Sequence, residues 1–252
     1  MKTILKASSL LTLILTVSVP FSILGNHHNG GLSFPDNVKP HNAVVKSVNY
    51  KGKAALKAEI SEEAKAKLDE ARRQRETGGN QGGPAAGDGN RVNHLIVVGE
   101  DFHDGTIEVQ VAGEPAPGSS GGARGFVGVA FRVQPDMDTY DCFYLRPTNG
   151  RANDQERRNH SAQYISHPDY PWFRLRQETP SKYESYVDLQ PATWTKVKVV
   201  VEGETAKLFV NGNEQPTIIV NDLKSGADGK GAVALWFEGS TVAHYNGLKI
   251  TK

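Results

Sequence analysis

The chain has 252 residues, a formal net charge of +1 at pH 7 and a single cysteine. A net charge so close to zero argues against broad electrostatic capture of nucleic acid or of an anionic membrane surface. One cysteine excludes an internal disulfide, so the fold must rely on its apolar core.

The N-terminal segment predicts a secretory signal peptide. Lys2 and Lys6 precede a short apolar run from Leu10 to Leu24 that a proline interrupts. This run is shorter than the about 20 apolar residues that cross a membrane. We expect residues 1–25 to be removed on export to the periplasm or the extracellular space, with an uncleaved anchor as the alternative. Residues 26–42 are expected to form a flexible leader.

A single domain is expected to run from residue 43 to residue 252. It begins with a predicted hairpin, Ala43–Ile60, whose strands alternate apolar and polar residues around a Lys-Gly turn. A helix is predicted from SEEAKAKLDEARRQRE, because Ser61 can cap it and acidic residues fill its first turn. It has few apolar residues, so we expect it to be peripheral. With the Gly-rich loop that follows, it forms an insertion at about residues 61–90.

After Arg91 the chain consists of short apolar segments separated by turns. Strands are predicted for RVNHLIVVG, GTIEVQVAG, GFVGVAFRV, TYDCFYLRP, TWTKVKVVVEG, AKLFVNG, PTIIVNDL, AVALWFEG and VAHYNGLKI. Short strands at this spacing with almost no helix are typical of an antiparallel sandwich. The predicted fold is therefore an all-β jelly roll with one peripheral helix.

The stretch from Tyr140 to Tyr186 has an unusual composition. It contains nine aromatic residues and six arginines, and its aromatics alternate with Arg, Asn, Gln, Asp and His rather than with aliphatic residues. Such a mixture suits a surface that stacks on flat ring faces and hydrogen-bonds the ring edges. We interpret it as the functional face of the sandwich.

Strand alternation within TYDCFYLRP places Tyr144 and Arg146 on the face opposite Phe143. We predict that Tyr144 and Arg146 bind substrate in a concave groove. The alternative, which the sequence leaves equally open for Arg146, is an ordinary surface residue at a strand end.

The segment RRNHSAQYI is predicted to form a second strand with Arg158, His160 and Tyr164 on one face. His160 and Arg158 are the candidate catalytic residues, because imidazole moves a proton near neutral pH and guanidinium offers a fixed positive fork. Tyr164 is a candidate substrate contact, and Trp172 is placed at the rim of the groove. Two alternatives remain: a non-catalytic His160, and a Trp172 that closes one end of the sandwich.

No cofactor is predicted. The sequence has no His-x-His pair and no calcium-loop spacing. Loop oxygens from Asp136, Asp138, Asn149, Asn153 and Asp154 leave a structural calcium ion open.

Two segments resemble the concanavalin A-like lectin/glucanase superfamily. They are WTKVKVVVEGETAKLFVNG and GAVALWFEGSTVAHYNGLKI, preceded by the F-x-D-G-T-I-E-V strand from Phe102 to Val109. Within the superfamily the chain is most similar to the 3-keto-disaccharide hydrolase-like group of exported bacterial proteins, from about Ala43 to Lys252. The paired carboxylates Glu-x-Asp-x-x-Glu of laminarinase-like members are absent, which argues against a retaining glycosidase site of that type.

Three functions are compatible with these observations. The first is an exported glycoside hydrolase or eliminase, for which the resemblance implies a 3-keto sugar as substrate. The alternative is a non-catalytic, lectin-like module that binds carbohydrate in the same groove. In the third, the central aromatics only pack a structural domain.

Overall fold

The computed structural model describes residues 38–77 and 93–252. The predicted signal peptide, most of the leader and the Gly-rich loop lie outside these residues. The helices are α1 (Glu62–Thr77), α2 (Gln155–Asn159) and α3 (Trp172–Glu178), and a 3-10 turn covers Pro147–Asn149. The strands are β1 (Lys39–His41), β2 (Ala43–Tyr50), β3 (Lys53–Ile60), β4 (His94–Phe102), β5 (Gly105–Pro115), β6 (Val127–Val133), β7 (Tyr140–Leu145), β8 (Ala162–His167), β9 (Glu184–Ser185), β10 (Thr195–Glu202), β11 (Thr205–Val210), β12 (Ile218–Val220), β13 (Gly231–Phe237) and β14 (Thr241–Thr251).

The strands form two seven-stranded sheets. Within each sheet, every pair of neighbouring strands is antiparallel. The first sheet has the order β1-β4-β13-β6-β7-β8-β9, and the second has the order β12-β11-β10-β5-β14-β3-β2. Half of the neighbouring strands in these sheets are not consecutive in the chain, as in a jelly roll. The predicted antiparallel β-sandwich is confirmed.

The core lies between the two sheets and is built from residues that alternate along each strand. In β10 the buried residues Val197, Val199 and Val201 alternate with more exposed ones. The Tyr245 hydroxyl, from the second sheet, donates to the backbone oxygen of Trp236 in the first sheet at 2.7 Å. This bond ties the layers together inside the core.

The first elements of the domain agree with the sequence. Strands β2 and β3 form the predicted hairpin, with both turn residues, Lys51 and Gly52, at positive φ. Ser61 caps α1 by accepting a hydrogen bond from the backbone N–H of Ala64 at 3.2 Å. The predicted leader ends too late, since Lys39–His41 forms strand β1 and pairs with β4.

The structure has two short helices, α2 and α3, beyond the one predicted. Both lie in the stretch between Tyr140 and Tyr186, where the sequence was read as strand and turn. Among the described residues, no helix is long and apolar enough to cross a membrane.

A row of side chains crosses the outer face of the first sheet. The strand register aligns Trp236, Gly128, Tyr144, Gln163 and Glu184 from β13 to β9. A Cβ atom on Gly128 would lie 2.7 Å from Tyr144 Cβ and 2.2 Å from the backbone oxygen of Phe143. Glycine therefore lets the rings of Tyr144 and Trp236 stack across β6 with centroids 4.9 Å apart.

Candidate functional site

Tyr144 and Arg146 lie on the outer face of the first sheet, opposite Phe143, as strand alternation requires. The Arg146 guanidinium lies over the Tyr144 ring, with its carbon 5.0 Å from the ring centroid. The same carbon is 5.7 Å from the centroid of Phe126 and 5.9 Å from that of Trp172. Arg146 is thus enclosed by three aromatic rings.

The hydrogen-bond partners of Arg146 are all neutral. Its Nη1 donates to the backbone oxygen of His160 at 2.8 Å, and its Nη2 donates to Tyr144 Oη at 2.8 Å and to Gln163 Oε1 at 3.2 Å. Arg146 is only 5% exposed, and this burial lowers the pKa of its guanidinium from the usual value. A buried cation held by neutral acceptors keeps much of its positive field for a ligand.

The predicted strand RRNHSAQYI is wrong in its first half. Asp154 accepts a hydrogen bond from the backbone N–H of Arg157 at 3.1 Å and starts α2, which ends at Asn159. Gln, Glu and Arg are good helix formers, and the acidic cap outweighs the short alternating pattern. His160 is the residue that closes α2, so the strand face it was predicted to share with Tyr164 does not exist.

His160 meets a carboxylate and two guanidiniums. Its Nδ1 lies 2.8 Å from Glu184 Oε2, at an angle outside hydrogen-bond geometry. Glu184 also accepts from Arg176, at 3.0 Å from Nε and 2.7 Å from Nη2. The side chain of Glu184 is only 5% exposed, whereas those of His160 and Arg176 are 17% and 29% exposed.

The imidazole of His160 is held in its neutral form at neutral pH. Burial lowers its pKa, and the charges of Arg176 and Arg146 lower it further against the opposing effect of Glu184. Nδ1 is buried, while Nε2 has no hydrogen-bond partner among the described residues and lies 3.9 Å from Glu156 Oε1. A neutral, partly accessible imidazole of this kind can accept a proton from a ligand. We call His160, Glu184, Arg176, Arg146 and Trp172 the His160 site.

Tyr164 lies in the core and not in the groove. It pairs with Phe143 across β7 and β8, which places it on the inner face of the sheet. Its hydroxyl donates to Asp141 Oδ1 at 2.6 Å and accepts from the backbone N–H of Lys224 at 3.0 Å. Tyr164 is 0% exposed, so its predicted role as a substrate contact is wrong.

Of the two remaining predicted residues, Trp172 lies in the His160 site and Arg158 does not. Trp172 begins α3, and the Arg176 guanidinium carbon lies 4.7 Å from its ring centroid, between the ring and Glu184. Arg158 lies in α2 and contacts Tyr186 instead, donating to its hydroxyl at 2.9 Å. The structure therefore gathers Tyr144, Arg146, His160 and Trp172, and leaves Arg158 beside them.

Sequence reasoning missed Glu184, Arg176 and Gln163. Glu184 belongs to no paired-carboxylate motif, and it contacts a histidine 24 positions earlier in the chain. The usable signal for Arg176 was its place four residues after Trp172, which puts both on one face of α3. No local sequence pattern predicts that β9 pairs with β8 at the edge of the first sheet.

Metal and thiol chemistry receive no support from the described residues. Within residues 38–77 and 93–252, no three His, Cys, Asp or Glu side chains lie close enough to hold a metal ion. Asp136, one of the loop acids considered for calcium, accepts instead from the backbone N–H groups of Asp138 and Thr139. Cys142 is buried, which raises the pKa of its thiol well above the usual value, as expected for a packing residue.

Comparison with known families identifies the fold and its relatives. A family model described as the 3-keto-alpha-glucoside-1,2-lyase-like domain matches residues 62–251. The chain belongs to this family. The resemblance to the concanavalin A-like superfamily and to its 3-keto-disaccharide hydrolase-like group is thereby confirmed. The match of the 3-keto-alpha-glucoside-1,2-lyase-like domain spans the whole His160 site and places the chain among carbohydrate-active β-sandwich domains.

Several solved structures are similar to this 3-keto-alpha-glucoside-1,2-lyase-like domain at low identity. They include a carbohydrate-binding module, CBM66, from Bacillus subtilis, with 10% identity, a TM-score of 0.46 and coverage of 84% of this chain and 96% of that chain. A galectin-like protein from Bacillus subtilis has 10% identity, a TM-score of 0.48 and coverage of 85% and 88%. Domain 4 of the GH43 extracellular arabinanase AbnA from Geobacillus stearothermophilus, in complex with arabinotriose, has 12% identity, a TM-score of 0.38 and coverage of 85% and 84%. No curated protein sequence matches the chain.

Proposed function

We propose that this protein is an exported enzyme that cleaves the glycosidic bond of a 3-keto sugar by base-promoted elimination. The observation that carries the proposal is the neutral imidazole of His160, 17% exposed and flanked by the guanidiniums of Arg146 and Arg176. A base next to fixed positive charges suits the removal of a proton beside a ketone, because negative charge then develops on the ketone oxygen.

The reaction begins at carbon 2 of the sugar, whose hydrogen is acidified by the neighbouring ketone at carbon 3. The C2–H bond breaks, its proton passes to His160 Nε2, and the electron pair moves to the ketone oxygen as an enolate. The enolate then re-forms the ketone, a C1–C2 double bond appears, and the C1–O bond to the aglycone breaks. The departing oxygen takes the proton back from His160 Nε2, so atoms and charge balance and the neutral imidazole is restored.

Glu184 and Arg176 have separate roles in this scheme. The Glu184 carboxylate, at 2.8 Å, favours the tautomer with the proton on Nδ1 and leaves the Nε2 lone pair for the substrate. Arg176 uses Nε and Nη2 to bind Glu184, and its Nη1 has no partner among the described residues. In this scheme that N–H group stabilises the enolate, and the Trp172 ring is a platform for the sugar.

The proposal is tested by incubating the purified protein with glycosides and their 3-keto derivatives, followed by chromatography of the products. We expect turnover of 3-keto-glycosides only, and loss of at least about 100-fold in turnover for His160→Gln at an unchanged melting temperature. Arg158→Gln is the matched control, since Arg158 contacts Tyr186 rather than the His160 site. Saturable sugar binding without turnover of any substrate would contradict catalysis and favour the lectin-like alternative.

Export is a separate part of the proposal and rests on the basic and apolar N-terminal residues. Mass spectrometry of the protein recovered from the periplasm or medium of a bacterial host should show removal of about residues 1–25. An intact N-terminus on a product that stays in the cytoplasm would contradict export without affecting the proposed chemistry.

A further inference from the structure

Three arginines surround the 3-10 turn Pro147–Asn149 beside the His160 site. Arg146 precedes the turn, and Arg157 in α2 places Nη2 at 3.4 Å from Asn149 Oδ1 and 3.5 Å from the backbone oxygen of Thr148. Arg124 accepts from the backbone N–H of Thr148 at 3.3 Å through its own backbone oxygen. We call Arg124, Arg146 and Arg157 the arginine cluster.

The arginine cluster is not neutralised by the protein. Among the described residues, none of its members forms an ion pair with a carboxylate, and Arg124 donates Nη1 only to the backbone oxygens of Gly121 and Ala123. The neighbouring acids are engaged elsewhere, because Asp154 caps α2 and Glu184 pairs with Arg176. Burial lowers the pKa of Arg124, and the charges of Arg157 and Arg146 lower it further. Arg146 and Arg157 approach each other at Asn149, because its Nδ2 donates to the same backbone oxygen of His160 that Arg146 binds and its Oδ1 accepts from Arg157.

Polar atoms without partners collect in the same place. Arg157 Nε and Thr148 Oγ1 are buried and have no hydrogen-bond partner in the part of the chain that the structure describes. The two contacts of Arg157 Nη2 are at the upper limit of hydrogen-bond length. Leaving a buried donor unpaired is unfavourable, and more so when the group is charged. A ligand that accepts hydrogen bonds and carries negative charge would relieve both costs.

We infer that the sugar bound at the His160 site carries an oxyanion substituent, a carboxylate, sulfate ester or phosphate ester, which docks on the arginine cluster. Guanidinium forks match the paired oxygens of these groups, which a neutral hydroxyl does not. Arg146 joins the two regions, because its Nη1 donates to the backbone oxygen of His160. The inference rests on the proposed function for its location, but it concerns binding and is measurable without turnover.

The test is calorimetric binding of glucose, glucuronic acid, glucose 6-sulfate and glucose 6-phosphate to the full chain, at low and high salt. We expect at least one anionic sugar to bind at least tenfold more tightly than glucose, and its affinity to fall as salt rises. The three anionic probes distinguish the carboxylate, sulfate and phosphate forms of the inference. Equal affinity for glucose and all anionic probes, or binding of none, would overturn it.

Variants tie the binding to the cluster. Arg157→Gln should lower the affinity for the anionic sugar at least tenfold, while Arg157→Lys should retain part of it because the charge remains. Lys196→Gln is the matched control, since this lysine lines a cavity of about 340 Å³ on the outer face of the second sheet. An Arg157→Gln protein that melts normally and binds as the parent would overturn the inference, as would an equal loss for Lys196→Gln.

The outcome is separable from that of the proposed function. If anionic sugars bind through Arg157 but no 3-keto-glycoside undergoes elimination, the inference about binding stands and the proposed enzymatic function is contradicted. Rapid elimination from neutral 3-keto-glycosides, with no effect of a carboxylate or sulfate on affinity, would do the reverse.

Discussion

At the scale of single residues, the properties of His160 follow from its neighbours rather than from its exposure. Burial and two guanidiniums favour the neutral ring, and the charges of Glu184 and Glu156 oppose them. A lone surface histidine would be partly protonated near its ordinary pKa of about 6.5, and would be a poorer base below that pH. Arg146 and Arg176 therefore keep the imidazole in the free-base form that can accept a proton, although they also make it a weaker base.

Tyr164 is the residue for which a prediction of stability is sharpest. Tyr164→Phe should destabilise the fold by about 1–3 kcal/mol, because the buried Asp141 loses its hydrogen bond at Oδ1 while Oδ2 already has none among the described residues. For a domain of this size the melting temperature should fall by about 2–4 °C per kcal/mol.

Differential scanning calorimetry measures this change, and Tyr186→Phe is the control because Tyr186 is exposed and its hydroxyl accepts from the exposed side of Arg158 rather than from a buried group. Tyr164→Phe should leave sugar binding unchanged. A Tyr164→Phe variant with the parental melting temperature and impaired sugar binding would indicate that Tyr164 contacts the ligand in the groove.

At the scale of elements, α2 determines where His160 stands. The helix is one and a half turns long, and the backbone N–H of His160 donates to the backbone oxygen of Arg157 at 3.1 Å. The Asp154 carboxylate caps the first turn of α2 by accepting from the backbone N–H of Arg157 at 3.1 Å. The position of the imidazole therefore depends on a cap that lies six residues before it.

Asp154→Ala should reduce turnover several-fold while lowering stability by only about 1 kcal/mol, the usual cost of a lost cap. Steady-state kinetics and thermal melting measure the two effects. Ser61→Ala removes the equivalent cap from α1 and is the control. If both variants lose stability equally and neither loses activity, α2 does not position the site.

Part of the site could be predicted at this scale and part could not. The alternation in TYDCFYLRP is enough to place Tyr144 and Arg146 on the outer face, since the period of a strand is two. Alternation alone does not predict the face on which Tyr164 lies, because the end of α2 and the pairing of β8 with β7 both depend on distant contacts. The register that brings Glu184 beside His160 joins β9 to the edge of a sheet, and no sequence pattern records it.

At the scale of the whole molecule, the sandwich could be predicted from strand spacing, but its response to acid could not. Burial lowers the pKa of His94 to about 4, with a smaller effect from His41. Burial also lowers the pKa of His244 to about 4, and the charge of Lys57 lowers it further. His94 packs against Phe237, and His244 stacks on Tyr50 on the outer face of the other sheet.

These two histidines predict a loss of stability in mild acid. Their folded pKa values lie below the ordinary value of 6.5, so the unfolded chain binds more protons between about pH 6.5 and 4. Stability should be full above that window and fall as the pH decreases through it. Buried His94 should contribute at most about 3 kcal/mol, at about 1.4 kcal/mol per pH unit.

Urea unfolding at pH 7, 6, 5 and 4 measures the dependence. His94→Leu should flatten it, whereas His103→Gln should not, because the His103 side chain is 48% exposed. A His94→Leu protein with the parental slope would show that the histidine does not titrate in this range.

The central claim is that bond cleavage starts with removal of the C2 hydrogen by His160. The most direct measurement is nuclear magnetic resonance of the products formed from a 3-keto-glycoside in deuterated water. The account predicts that the C2 hydrogen is lost from the sugar product, through either the C1–C2 double bond or deuterium at carbon 2, and that His160→Gln abolishes the reaction. A cleaved sugar that keeps its C2 hydrogen would contradict the account, because direct hydrolysis at carbon 1 needs no base at this position.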